Sequence, residues 1–449
     1  MKSYMFVTLA LCTAAVGCGE DGKANDTQLP MSRTFTVQVE NVAPWTILKS
    51  GAQKMKTTGM VGAAASGEGF EISFTAGKGQ ALSFATMLGE SNDWFFAPLP
   101  AGIALYDATG MPVMGDVTGQ VALWNAGTEV DEEPAVGLDT GPQQSMPGQG
   151  SPEVDNTVRP IGAAIALADG RSFAVPTVAE MIKATLAYHG SQLFTLRIDN
   201  VSMPTTLHTS MGDRAIHVSP VFWALHTLAS QNVLFTPGAV DRGQGLEQLA
   251  EAGDTSPLVL SAAQLAGVAT PISPVIAFVH ASGEPLYSVG QPDRGQGLEQ
   301  LAEAGNPAVL AAAVPGSMTV DTPVGAAAPG PALPGQSYQF TIMGKEGDRL
   351  SLATMFGMSN DWFFGTSPGG VPLFDAFGEP MRGDVTELLS LYDAGTEINE
   401  EPGVGPDVAP QQLMPDQGAV DPVKQVREVP AQEYGRPASA HVRVTLTPM

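Results

Sequence analysis

The sequence predicts an all-β chain built as two tandem antiparallel β-sandwich domains, and three observations predict it. Apolar and polar side chains alternate over 34–42 (TFTVQVENV) and 193–201 (LFTLRIDNV), the period of a half-buried strand. Gly 51 and Pro 36 punctuate the chain into short segments, so long helices are scarce. The segment SNDWFF occurs at 91–96 and again at 359–364, followed by WNAGTEVDEEP at 124–134 and YDAGTEINEEP at 392–402. Asp93 and Asp361 are 268 residues apart, and so are Glu129 and Glu397, so the repeat holds its register.

A length of 449 residues allows two or three domains, and 43% apolar residues is enough to build cores and argues against a disordered chain. Forty-six acidic residues against 21 basic ones leave a net charge of −25. Such a surface repels nucleic acid and anionic lipid, which are therefore excluded as partners, and suits divalent cations.

Residues 1–18 read as a lipoprotein signal peptide. Lys2 supplies a positive start, residues 4–11 an apolar run too short to span a bilayer, and Ala15-Val16-Gly17 are small residues directly before Cys18. This resembles a bacterial lipobox, which implies lipidation of Cys18 and a chain tethered to the cell envelope, at the outer membrane or cell surface. The only other cysteine, Cys12, leaves with the signal, so no disulfide is expected. The polar segment 19–31 reads as a flexible tether.

From there the first domain is expected over 32–189 and the second over 192–449. Strands 34–42 and 193–201 open them; 70–74 with 81–87, and 338–342 with 350–355, read as strand pairs around Gly turns; 181–188 and 441–447 close the domains. The second domain carries its own duplication. Ser219-Pro220-Val221 is echoed 54 residues on by Ser273-Pro274-Val275, and DRGQGLEQLAEAG stands identically at 241–253 and 293–305. Leu246, Leu249 and Ala250 share one helical face and Gly253 is a natural stop, so short helical insertions are expected in the second domain only. The first domain reads as a shortened version. Two loops carry Pro-Gln-Gln-x-Met-Pro (142–147 and 410–415), read as an extended segment along the sheet edge.

The repeated acids are the candidate site. Calcium takes six to eight oxygens from carboxylates, carbonyls and water, on loops able to wrap it. Asp361, Asp393 and Glu397 offer three carboxylates, and Gly395 lets the backbone turn between the last two. The first copy offers Asp93, Asn125 and Glu129, one charge fewer, and is expected to bind more weakly. No His or Cys joins the cluster, which disfavours zinc. The alternative is that these acids cap loops and solvate a surface while Trp94 and Trp362 anchor the core.

These residues resemble the spondin domain, the N-terminal module of F-spondin and mindin, through the Ser-x-Asp-Trp loop at 359–362 and 91–94. The Asp-Ala-Gly-Thr-acid loop is matched at 393–397 and, with Asn in place of Asp, at 125–129. The likeness covers nearly all of 192–449 and a shortened version of 32–189. It implies a β-sandwich holding one calcium at Asp361, Asp393 and Glu397, and a second at Asp93, Asn125 and Glu129. It also implies an extracellular role, adhesion or the binding of an unidentified protein or glycan, with the membrane reached only through the lipid anchor. A structural envelope lipoprotein whose calcium only stabilises it is the alternative.

No catalytic pattern stands out, so the chain is expected not to be an enzyme. Residues 365–369 (GTSPG) match the letters of a nucleophile elbow, but Pro368 lacks the N–H that an oxyanion hole needs. His226 and His280 end apolar strands and read as structural. Paired carboxylates leave a hydrolase as a third reading.

Overall fold

The structure is a computed structural model that describes residues 32–449 apart from Pro44, Pro142, Ser145 and Leu413. The signal peptide, Cys18 and the tether lie outside the described residues. Strands make up 36% of the chain and helices 10%, and every named strand pair runs antiparallel. The fold is all-β. Two units are present, each a four-stranded sheet and a seven-stranded sheet with a shared core. The alternation read from the sequence does what it predicts: Phe35, Val37 and Val39 are fully buried, as are Phe194 and Leu196 in the other unit.

The sheets do not divide the chain where the sequence pattern suggested. The strand Ser32–Asn41 lies between Ser337–Lys345 and Val442–Pro448, with Val39 opposite both Tyr338 and Val444. The strand Leu193–Asn200 lies between Gly69–Thr75 and Ile182–Tyr188, with Leu196 opposite Ile72 and Leu186. The opening strand of each expected domain thus belongs to the other sandwich. The expected boundaries 32–189 and 192–449 are corrected to one sandwich nested inside the other. The crossings lie side by side, where Ile47 and Ala266 form a parallel bridge and Gly267 N–H donates to Ile47.

The reason is local. Ile182–Tyr188 and Leu193–Asn200 are joined by four residues, of which Gly190, Ser191 and Gln192 take φ of 86°, 47° and 58°. Both strands alternate and would suit either sheet. A hairpin closes a short loop at small entropic cost, whereas the tandem arrangement would separate the two strands into different domains.

The nesting also relocates the helices. Leu246–Ala252 and Ser256–Leu265 pack Leu246, Leu249, Ala250 and Leu258 against Phe95, Trp124 and Phe222 on the outer face of the first large sheet. Leu298–Ala304 and Ala308–Ala313 do the same to Phe363 and Tyr392 in the second. Gly253 and Gly305 stop their helices in the left-handed conformation, as the sequence predicted. The first sandwich is therefore not shortened, and helices are not confined to the second. It takes its strand–helix unit from downstream and is a circular permutant of its neighbour. Equivalent hydrogen bonds mark the correspondence: Thr86 Oγ1 to the Ser219 carbonyl and Thr354 Oγ1 to the Ser273 carbonyl, both 2.7 Å. Buried Asn200 bridges the carbonyls of Ala64 and Ile216, as Asn41 bridges Ala332 and Thr270.

One further expectation changes. Gly69–Thr75 and Gln80–Met87 are not a pair, and neither are Ser337–Lys345 and Arg349–Met355; each turn carries the chain from the small sheet to the large one. Gln80–Met87 is buried at every position. Such a strand needs cover on both faces, which the inner core and the helical layer supply.

Candidate cation site

In each large sheet the SNDW loop joins two central strands, Gln80–Met87 to Trp94–Pro98 and Arg349–Met355 to Trp362–Thr366, and the SNDW serine sets its shape. Ser359 Oγ donates to Phe356 and accepts Trp362 N–H at 2.9 Å; Ser91 does the same with Leu88 and Trp94. The tight turn holds the following Asn and Asp beneath the second loop, and all four of these side chains are fully buried.

In the second sandwich, Asp361 Oδ2 accepts the backbone N–H groups of Thr396 (2.9 Å) and Glu397 (3.1 Å) and the Thr396 hydroxyl (3.1 Å). Glu397 Oε1 accepts Gly418 N–H at 2.7 Å. The remaining oxygens, Asp361 Oδ1, Glu397 Oε2 and Asn360 Oδ1, are buried with no hydrogen-bond partner. The first sandwich repeats these contacts. Asp93 Oδ2 accepts Thr128 and Glu129 N–H, Glu129 Oε1 accepts Gly150 N–H at 2.6 Å, and Asp93 Oδ1, Glu129 Oε2 and Asn92 Oδ1 are unpartnered. A buried carboxylate oxygen without a donor is costly. Burial pushes Asp93 up to about 8, with Asp131 adding to it, and Glu129 to about 7. Burial raises Asp361 and Glu397 too, and the Glu397 charge adds to the rise at Asp361.

Asp393 and Asn125, the other two predicted ligands, stand differently. Asp393 Oδ1 accepts Gly395 N–H at 2.6 Å, and its Oδ2 takes Asn399 at 2.8 Å and Arg427 at 2.5 Å. Both oxygens are engaged, and the charge is answered by a guanidinium. Asn125 Oδ1 accepts Gly127 N–H and its amide donates to Asp131 Oδ1 at 2.9 Å. Neither presents an oxygen without a hydrogen-bond partner, which sets them apart from Asp361, Glu397, Asp93, Glu129 and the SNDW asparagines. The sequence also misjudged the missing charge. Asp131 stands where the second sandwich has Asn399, and Asn125 where it has Asp393. The exchange keeps one carboxylate per site. Trp94 Nε1 donates to Asp131 and Trp362 Nε1 to Asn399, each at 2.7 Å, while Arg159 and Arg427 face the carboxylates. The signal was available, since 131 and 399 share the 268-residue register.

Two other groups were missed. Glu251 and Glu303, from the duplicated helices read as packing only, are buried beside the same loops. Glu251 accepts the Thr128 hydroxyl at 2.7 Å and Gly148 N–H, and Glu303 accepts Asp416 N–H at 2.7 Å and is pushed by burial to about 7. Two glutamines of the Pro-Gln-Gln-x-Met-Pro loops reach this site as a strap, Gln144 donating to Glu129 at 3.1 Å and Gln412 to the Glu303 carbonyl at 2.9 Å. Gly150 and Gly418 let the strap approach so closely. A Cβ there would stand 2.5 and 2.6 Å from the carboxyl carbons of Glu129 and Glu397.

Among the described residues, no three Asp, Glu, His or Cys side chains gather as a metal cluster. The buried oxygens left without a partner include Asp93 Oδ1, Glu129 Oε2 and the amide oxygens of Asn92 and Gln144 in the first sandwich, and Asp361 Oδ1, Glu397 Oε2, Glu303 Oε1 and the amide oxygens of Asn360 and Gln412 in the second, a set that hard cations complete with backbone carbonyls and water. No family model matches the chain, and no curated protein matches it.

Proposed function

We propose that the chain is a calcium-binding β-sandwich protein that serves as a binder at the cell envelope, each sandwich holding one cation. The observation that carries this is the recurrence of unpartnered buried oxygens on Asp361, Glu397 and Asn360 and on Asp93, Glu129 and Asn92. An oxygen-only donor set on Gly-bearing loops favours calcium over zinc, and its irregular arrangement suits calcium's loose geometry better than magnesium's octahedron. Export and lipid attachment through Cys18, and adhesion to an extracellular protein or glycan, extend this reading along the resemblance to spondin domains.

A binder is favoured over a catalyst by the histidines at the strand ends. His226 is held between Ser83 Oγ (2.9 Å) and the Thr227 carbonyl, and His280 between Ser351 Oγ (2.8 Å) and the Ser282 carbonyl, and both rings are buried away from any substrate. The test is a thermal melt of the chain from residue 26 onward in chelator and in millimolar calcium. A ligand that binds only the native state raises the melting temperature. Equal melts in the two buffers refute the cation reading.

A further inference from the structure

The loop 397–411 of the second sandwich has two sets of contacts. One set folds it over the SNDW loop: the Ile398 carbonyl accepts the Asn360 amide at 2.8 Å, Gly403 N–H donates to the Met358 carbonyl at 2.7 Å, and Ala409 N–H to the Ser359 carbonyl at 2.9 Å. The other set holds the first sandwich. Glu401 accepts the Thr75 hydroxyl at 2.7 Å and is ion-paired with Lys49. The Gly403 carbonyl accepts Gln80 Nε2 at 2.8 Å, and Gln411 donates to the Lys78 carbonyl at 3.4 Å. Gly77 comes so close that a Cβ there would stand 2.5 Å from the Gly403 carbonyl oxygen.

The first sandwich has the same loop without the second set. By the 268-residue register, Glu401, Gly403 and Gln411 answer to Glu133, Ala135 and Gln143. Ala135 N–H donates to the Glu90 carbonyl at 2.7 Å, as Gly403 does to Met358, so the fold over the SNDW loop is kept. Glu133 instead holds Ser210 and Arg171, and Gln143 the Ala135 carbonyl, all in its own sandwich.

These contacts between the sandwiches are polar, and a cleft of about 630 Å³ stands beside them, lined by Leu48, Leu225, Val404 and Arg436. A polar contact of this kind, unlike a large apolar one, leaves relative motion to a few bonds. Those bonds sit on a loop that starts at Glu397, whose buried, unpartnered carboxylate repels that of Asp361. We infer that the second site, when filled, locks the two sandwiches together through the 397–411 loop, and that the first site takes no part. This rests on the calcium reading above. Closed around a cation, the loop presents Glu401, Gly403 and Gln411 together; in chelator, carboxylate repulsion opens it and releases the docked turn. By linkage, docking in turn tightens the second site.

The chain from residue 26 onward contains no cysteine, so Lys183→Cys and Thr341→Cys place one exposed spin label on each sandwich. Pulsed electron resonance is expected to give one narrow distance population in calcium and a broad one in chelator. Asp361→Asn should keep it broad in calcium, whereas Asp93→Asn should leave it narrow while shrinking the calcium-induced rise in melting temperature. A second variant avoids the ligands: Gln80→Ala with Glu401→Ala, in an Asp93→Asn chain, should weaken calcium binding at the remaining site about five-fold. Identical distances in both buffers, with calcium still raising the melting temperature, overturn the coupling and leave the cation reading standing. An unchanged affinity, or equal broadening by Asp93→Asn, overturns the coupling too. Equal melts together with equal distances remove the cation reading and the coupling with it.

Discussion

The two sandwiches share a plan but differ in how the chain enters them. The inner one is continuous, with both termini at the crossing, whereas the outer one is assembled from residues either side of it. They also solve the same electrostatic problem with the acid and amide exchanged, Asp393–Asn399 against Asn125–Asp131. A repeat can therefore conserve an arrangement while moving both its connections and its charges.

The largest effect should come from cutting the chain. A fragment of residues 45–266 carries every strand of the inner sandwich and is expected to fold, whereas 32–189 lacks Leu193–Asn200 and the helical layer and is expected to stay unfolded. Far-ultraviolet dichroism separates them, and a folded 32–189 would restore the tandem division. Next in size, Trp94→Ala and Trp362→Ala remove fully buried indoles and should each cost about 3–5 kcal/mol in denaturant unfolding. A large inequality would show that the two cores are not equivalent.

The exchanged pair gives a sharper test. Asn125→Asp alone sets a new carboxylate against Asp131 and should destabilise the protein by about 1–3 kcal/mol. Adding Asp131→Asn recreates the outer arrangement and should recover most of the loss, so a strictly additive double mutant would refute the compensation. Because each site keeps its charge, Asp93→Asn and Asp361→Asn should reduce the calcium-induced rise in melting temperature to a similar degree. A much larger loss at Asp361 would revive the ranking suggested by Asn125 alone.

The acids also set a pH dependence. Asp93 and Glu129 have folded values near 8 and 7, above their unfolded ones, so they bind protons more tightly when folded. That stability is present below about pH 4 and is lost as pH rises through 7 to 8. In chelator the melting temperature should fall from pH 5 to pH 8, and calcium should restore it most at pH 8. A chelator melt that rises over this range would contradict it. The smallest effect is expected at the contact between sandwiches. Lys49→Ala removes a partly exposed ion pair with Glu401 and should cost at most about 1 kcal/mol.

Much of the site was legible. The SNDW and Ala-Gly-Thr-Glu loops named Asp361, Glu397, Asp93 and Glu129 because a constant register preserved both loops together. Asn360 and Asn92 stand in the same motif but were not among the expected ligands, since sequence does not show which side-chain oxygens remain unpaired. The partner of Asp393 was hidden, because Arg427 stands 34 residues away and is adjacent only once Leu389–Asp393 pairs with Arg427–Glu428. Glu251 and Glu303 were hidden by their helices, where burial of one face is the ordinary reading.

By itself, the sequence determined the all-β class, the internal repeat, the helix stops at Gly253 and Gly305 and the acidic loops, because period, turn chemistry and motif spacing are local properties. Only the tertiary structure decided which strand completes which sheet. Alternation specifies the two faces of a strand and leaves its neighbours open, and two similarly patterned opening strands fit either sandwich. The four-residue turn at 189–192 breaks that tie by closing a hairpin, and with it the first sandwich.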